Sequence, residues 1–205
     1  MPIRAVFFDI GGVLLRMEHH NKRHEWEARL GLPREYLTRL VFHSEIAARG
    51  MIGEVPEEAI WKYVAETLRL SDEQLPQFHS DFWEGDQLDA DLAQFMQALR
   101  PRYKVGIISN ALSSARSAMN RRFNLDSYVD DAIYSAEVKL IKPDPRIFQL
   151  ALERLKVQAE AAVFVDDVLE NVQAAQSLGM RGVQFKNPEQ TITEIRRYLD
   201  DYNQA

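Results

Sequence analysis

Three short apolar runs, each ending abruptly on polar groups, constrain this chain more than any other feature. Ile3 to Phe8 ends at Asp9, Val105 to Ile108 ends at Ser109 and Asn110, and Ala162 to Val165 ends at Asp166 and Asp167. A fourth run, Gly182 to Phe185, follows a helix stop at Leu178-Gly179, and Asp131 to Tyr134 is a weaker fifth. Continuous β-branched and aromatic residues without alternation mark strands covered on both faces. Between the runs lie segments of helical period. Leu88 to Leu99 and Pro145 to Leu155 each carry one apolar stripe, Pro145 suits a helix start, and Val168 to Leu178 and Thr191 to Leu199 continue the pattern. Strands alternating with helices predict an α/β fold, a parallel sheet with helices on both faces.

One stretch breaks the alternation. From Arg16 to Gly85 the chain reads as helix only, with candidates at His24–Leu30, Pro33–Ala48, Glu57–Leu70 and Asp72–Phe82. Gly31, Gly50, Gly53, Pro56 and a Ser71-Asp72 N-cap signal punctuate them. The expected division of the 205 residues is a core of 1–15 and 86–205 and a helical insertion of 16–85, standing over one end of the sheet. Hydrophobic residues at 46% and charged residues at 27% are ordinary globular proportions and rule out wholesale disorder. Lys plus Arg total 25 against 31 Asp plus Glu, a net charge of −6, which argues against a nucleic-acid partner. The absence of cysteine removes disulfides, thiolate metal sites and Cys nucleophiles together and fits a cytoplasmic setting. No apolar stretch reaches the roughly 18 residues of a membrane span, and the run Ala5 to Phe8 is broken too early by Asp9 for a signal peptide.

In a doubly wound sheet, ligands bind beyond the carboxyl ends of the strands. Asp9, Ser109, Asn110, Asp166 and Asp167 all fall there, and Lys142 follows the weaker strand in Lys142-Pro143-Asp144-Pro145. Clustered carboxylates repel unless a cation lies between them. Hard oxygen ligands select Mg²⁺, which binds through one or two carboxylates plus substrate phosphate. Lys with Ser or Asn donors suits a phosphoryl oxygen, and an Asp beside them can act as a nucleophile.

Phe8-Asp9-Ile10-Gly11-Gly12-Val13-Leu14, Ile108-Ser109-Asn110, Lys142-Pro143-Asp144-Pro145 and Phe164-Val165-Asp166-Asp167 stand in this order along the chain. Together they resemble the four motifs of the haloacid dehalogenase-like (HAD) hydrolase superfamily, over residues 1–15 and 86–190. The resemblance implies a Rossmann-like core with the first strand central, a small four-helix cap inserted after it, and a cleft between the two. It implies that Asp9 is the nucleophile, that Ser109 holds the phosphoryl group with Asn110 beside it, and that Lys142 neutralises nucleophile and phosphate. It also implies that Asp167 ligates Mg²⁺, with Asp166 in support and the Gly11 carbonyl completing the protein's share. The expected ligand is a small phosphorylated molecule; a monomer or a homodimer is equally compatible.

Gly11 departs from the pattern. Most phosphatases of the family carry a second aspartate there, which protonates the leaving group and then activates water. Such acid–base help contributes about 10²–10⁴-fold in rate. Three readings remain open: a phosphatase that is slow, restricted to good leaving groups or assisted by another group; a 2-haloacid dehalogenase, which needs no metal; and a binding or regulatory protein on a retained fold. Some family members with Gly at this position resemble sugar-phosphate phosphatases, whereas the dehalogenases usually have a bulky aromatic.

Other residues carry plainer readings. Asp144 is expected to cap the next helix, Asp166-Asp167 to double as a helix N-cap pair, and Asn171 to bond near the site. Trp26, Trp61, Phe82 and Trp83 read as insertion core, Arg121-Arg122 as a solvated helix face, and His19, His20 and His24 as surface residues. Arg16, Glu18 and Arg49 are candidates to reach the cleft.

Overall fold

The structure, a computed structural model, describes residues 1–17 and 22–200. Strand β1 (Ala5–Phe8) and the short β2 (Leu15–Met17) precede α1 (Lys22–Arg29), α2 (Tyr36–Phe42), α3 (Glu45–Met51), α4 (Glu57–Leu68) and α5 (Leu75–Glu84). Then come β3 (Asp86–Leu88), α6 (Ala90–Leu99), β4 (Lys104–Ser109), α7 (Ala115–Phe123), β5 (Asp131–Tyr134) and α8 (Ser135–Val138). The chain continues through α9 (Pro145–Leu155), β6 (Ala162–Asp166), α10 (Leu169–Ser177), β7 (Arg181–Gln184) and α11 (Pro188–Asp200). Five strands form one parallel sheet in the order β5-β4-β1-β6-β7, with β1 in the middle.

The two faces of β1 explain why its sequence does not alternate. Val6 and Phe8 join Val105, Ile107, Val163 and Val165 on one face, covered by Leu92, Phe95, Met96 and Leu99 of α6 and by Ile195 of α11. Ala5 and Phe7 join Ile133 and Phe164 on the other, against Ile147, Phe148, Ala151 and Leu152 of α9. Both faces must be apolar because helices cover both. Register then carries the chemistry. Phe8 pairs with Ile107 and with Val165, so the next residue along, Asp9, emerges between β4 and β6 beside their polar ends.

Helices α1, α2, α4 and α5 gather around a separate and more aromatic cluster of Trp26, Leu37, Leu40, Val41, Trp61, Val64, Phe78 and Phe82, while Met51 of α3 packs with Ile60 and Leu112. Trp26 meets Phe78 edge-on at 5.2 Å, and Trp61 meets Phe82 at 5.6 Å. The chain enters and leaves this unit through β2 and β3, an antiparallel pair. Arg23 clasps that neck: Nε donates to the Phe82 carbonyl at 2.7 Å and Nη2 to Asp86 at 3.0 Å. Arg122 of α7 donates to the Asp86 carbonyl at 2.9 Å, and Arg16 pairs with Asp89.

Several local expectations change. The insertion is not helix only, because β2 opens it. The single helix expected over Pro33–Ala48 is two, since the Ser44 hydroxyl accepts from Ala47 N–H and caps a new helix. The last helix of the insertion starts at Leu75, not Asp72, because Ser71 N–H is held by the Gln74 side chain in a turn. Asp144 does cap α9, accepting from Arg146 N–H at 2.9 Å. Asp166 and Asp167 do not cap α10, whose N-cap is Val168. Among the described residues no helix is long and apolar enough to cross a membrane.

Candidate active site

Asp9, Lys142 and Asp166 form a buried charged triplet at the ends of β1 and β6. Lys142 Nζ lies 2.9 Å from Asp9 Oδ1 and 2.7 Å from Asp166 Oδ2, with its side chain 1% exposed. Burying one ammonium between two carboxylates is tolerable because each charge has a partner. Asp166 is saturated as an acceptor. Val168 N–H bonds Oδ1 at 2.8 Å, and Asn171 Nδ2 reaches both oxygens at 3.2 and 3.1 Å. Its place is therefore to hold the Lys142 ammonium. Asp9 Oδ1 also accepts from Ile10 N–H at 2.7 Å, which aims the carboxylate and leaves Oδ2 without a protein donor among the described residues.

Burial pushes the Asp9 carboxyl up to about 6; Lys142 counters this push and Asp166 adds to it. Asp167, one residue beyond the strand and solvent-facing, is also raised, by desolvation and then by the Asp166 charge. Oxygens of Asp9, Asp166 and Asp167 all lie within 4.8 Å of one another. Three carboxylates so close, two of them shifted toward the neutral form, are a donor set suited to a hard divalent cation.

The loop after β1 is shaped around this set. Gly12 has φ +77°, and a Cβ there would lie 2.3 Å from Asp167 Oδ2. Only glycine lets the loop pass against that carboxylate. Gly11 differs: a Cβ on it would meet nothing within 4 Å. The position is open and vacant of any acid.

The second motif packs against the third. Ser109 is buried at the end of β4 and lines the cleft. The Asn110 side chain is committed to the Lys142 peptide: Oδ1 accepts from its N–H at 2.8 Å, and Nδ2 donates to its carbonyl at 3.0 Å. The Ser135 hydroxyl bonds Ala111 N–H at 2.9 Å and so fixes the same loop. Asp9, Gly11, Ser109, Asn110, Lys142 and Asp167 thus line one cleft of about 1780 Å³, while Asp166 lies beneath its floor.

A family model of the haloacid dehalogenase-like hydrolases matches residues 3–179. The chain belongs to this family. The first curated relatives that this chain matches are longer. It spans 6% of the mouse "acyl-CoA dehydrogenase family member 10", with 40% identity over 70 residues, and 39% of the pig "bifunctional epoxide hydrolase 2". It is 28% identical to "Phosphatase MT3486" of Mycobacterium tuberculosis, over 97% of the chain and 94% of that protein. It is 26% identical to "(S)-2-haloacid dehalogenase 1" of a Pseudomonas strain, over 90% and 85%. A solved HAD family enzyme of Bacteroides thetaiotaomicron, in complex with magnesium and inorganic phosphate, shares its fold at TM-score 0.73 and 19% identity, over 90% of this chain and 94% of that one.

The opposite wall of the cleft comes from the insertion. Trp61 and Trp83 belong to its core as expected, yet both also line the cleft, with Phe42, Glu57 and His79. Arg121 and Arg122 line it too, and Arg122 holds the neck, so this pair is not merely a solvated face. Arg16 lines the cleft; Arg49 pairs with Glu54 at the surface. Glu18, His19 and His20 lie outside the described residues, and His24 pairs with Glu35 at 3.2 Å. Glu57 and His79 carried no sequence signal, because nothing local distinguishes them from other helix-surface residues.

Proposed function

We propose that this hydrolase is a Mg²⁺-dependent phosphatase of a small phosphorylated molecule, acting through an aspartyl-phosphate. The observation that carries the reading is the triplet in which Lys142 bridges Asp9 and Asp166, with Asp167 beside it. Asp9 Oδ2 is the attacking atom, since Oδ1 is held by Lys142 and Ile10 N–H. The Lys142 ammonium faces the negative charge gathering on the phosphoryl oxygens, and the Ser109 hydroxyl orients them. Asn110 keeps Lys142 in place through its peptide. The residues that would hold Mg²⁺ are Asp9, Asp167 and the Gly11 carbonyl, with Asp166 in support. When bound, the ion offsets the charge of nucleophile and phosphate. The full-length likeness to the mycobacterial phosphatase supports this reading, as does the magnesium and phosphate held by the Bacteroides protein of the same fold.

The likeness to a haloacid dehalogenase supports a second reading, and one experiment separates them. Hydrolysis of p-nitrophenyl phosphate that requires Mg²⁺ and disappears in Asp9→Asn is the expected result. Chloride release from 2-chloropropionate in EDTA, without phosphatase activity, would establish the dehalogenase instead.

A further inference from the structure

The phosphatase reading leaves one proton without a carrier. Gly11 has no side chain to give one, and Lys142 is committed to Asp9 and Asp166. The insertion wall of the cleft offers a replacement. Glu57, buried at the start of α4, reaches across to the core: Oε2 accepts from Ser114 N–H at 3.0 Å. Ser114 ends the loop that continues from Ser109 and Asn110, so Glu57 ties the insertion to the segment that holds phosphate. Its Oε1 accepts from Trp61 Nε1 at 3.1 Å. Trp61 in turn meets the His79 ring edge-on, centroids 4.4 Å apart and planes at 74°. His79 is half-buried and lines the same cleft as Asp9 and Gly11. Both Glu57 oxygens are taken up as acceptors, so Glu57 serves as an anchor and counter-charge, not a proton donor. His43 also lines the cleft, but it is exposed and its imidazole has no partner among the described residues. His79, by contrast, is packed against the Trp61 ring.

Resting on the phosphatase reading, we propose that His79 performs the proton transfers that Gly11 cannot. As Asp9 Oδ2 bonds to phosphorus and the bond from phosphorus to the leaving oxygen breaks, the His79 imidazolium gives its proton to that oxygen, releasing an alcohol. The neutral ring then takes a proton from the water that attacks the aspartyl-phosphate, and its oxygen leaves on the phosphate. Asp9 is freed as carboxylate and the imidazolium is regenerated, so protons balance over the cycle. Imidazole suits both steps because its two forms interconvert near neutrality. Burial pushes His79 below the usual histidine range and Glu57 pulls it back. An arriving phosphate dianion acts in the same sense as Glu57.

The test is leaving-group dependence, which a merely structural role would not move. Nitrophenolate departs without a proton, whereas an alkoxide needs one. We compare kcat/KM for p-nitrophenyl phosphate and for a panel of alkyl and sugar phosphates, in the wild type, His79→Gln and His79→Phe. The Phe variant keeps a ring against Trp61 if the Gln variant folds poorly. The expected loss is about 10²-fold on the alkyl esters, at least tenfold more than on the nitrophenyl ester. Adding Gly11→Asp to either variant should restore the alkyl esters, since the space at Gly11 is open. Equal losses on both substrates, or no loss, would overturn the proposal. So would a wild type that cleaves the nitrophenyl ester but no member of the panel. A wild type that cleaves neither ester overturns the phosphatase reading itself.

Discussion

The two walls of the cleft are built on different principles. On the sheet wall, Asp9, Ser109 and Asp166 end strands whose register is set by backbone hydrogen bonds, and three charged groups meet within 3 Å of their neighbours. On the insertion wall, Glu57, Trp61 and His79 sit on faces of α4 and α5 that are aimed by aromatic packing. The sheet wall is suited to fixed chemistry. The insertion wall is suited to contacts that vary from one substrate to another, since helices can shift against one another at smaller cost than strands can slip register.

Substitutions on each wall sharpen or break that contrast. The largest effect is expected for Asp9→Asn, with turnover lowered at least about 10³-fold and folding retained, since the proposed nucleophile has no substitute. Trp83→Ala, on the other wall, should change KM more than kcat; a loss equal to that of Asp9→Asn would erase the distinction. Gly12→Ala comes next. Its Cβ would press on the Asp167 carboxylate, so apparent Mg²⁺ affinity, read from thermal shift, should fall about 10–100-fold. An unchanged Mg²⁺ shift would remove Asp167 from the metal set. Glu57→Ala leaves the Ser114 N–H and Trp61 Nε1 without their acceptor and should cost about 1–3 kcal/mol in chemical denaturation.

The smallest effect concerns pH. His79 titrates below its ordinary value of 6.5 in the folded protein. The unfolded chain therefore binds more protons in the window just below 6.5, and folding stability gained from the neutral ring is lost as pH falls through it. Relative to His79→Phe, the wild type should lose melting temperature between pH 7 and pH 5 and gain none above pH 7. A difference independent of pH would show that the ring is not buried as described.

Much of the sheet wall was legible in the linear order of residues. A strand is a one-dimensional object: an apolar run followed by Asp9 or by Ser109-Asn110 places those groups at a sheet edge before any packing is known. The fourth motif worked in the same way, though its second role as a helix cap did not hold, because Asp166 spends its oxygens on Lys142, Asn171 and Val168 N–H. Helix α7 and the β2–β3 neck left no comparable mark. Asp86 and Arg122 were invisible as partners because they are 36 residues apart. Helical periodicity says that a residue lies on a polar face but not what stands opposite.

The residues in order thus determined the parallel α/β core, the helical insertion and the positions from which a carboxylate, a lysine and a hydroxyl would converge, because strand ends and turn glycines are local properties. Tertiary structure alone decided that Lys142 binds Asp9 and Asp166 together, that Asn110 serves Lys142, that Glu57 of the insertion bonds Ser114 of the core, and that Trp61 packs on His79. Each of these rests on contacts between segments far apart in the chain, whose distances depend on how two cores pack and not on the identity of any one residue.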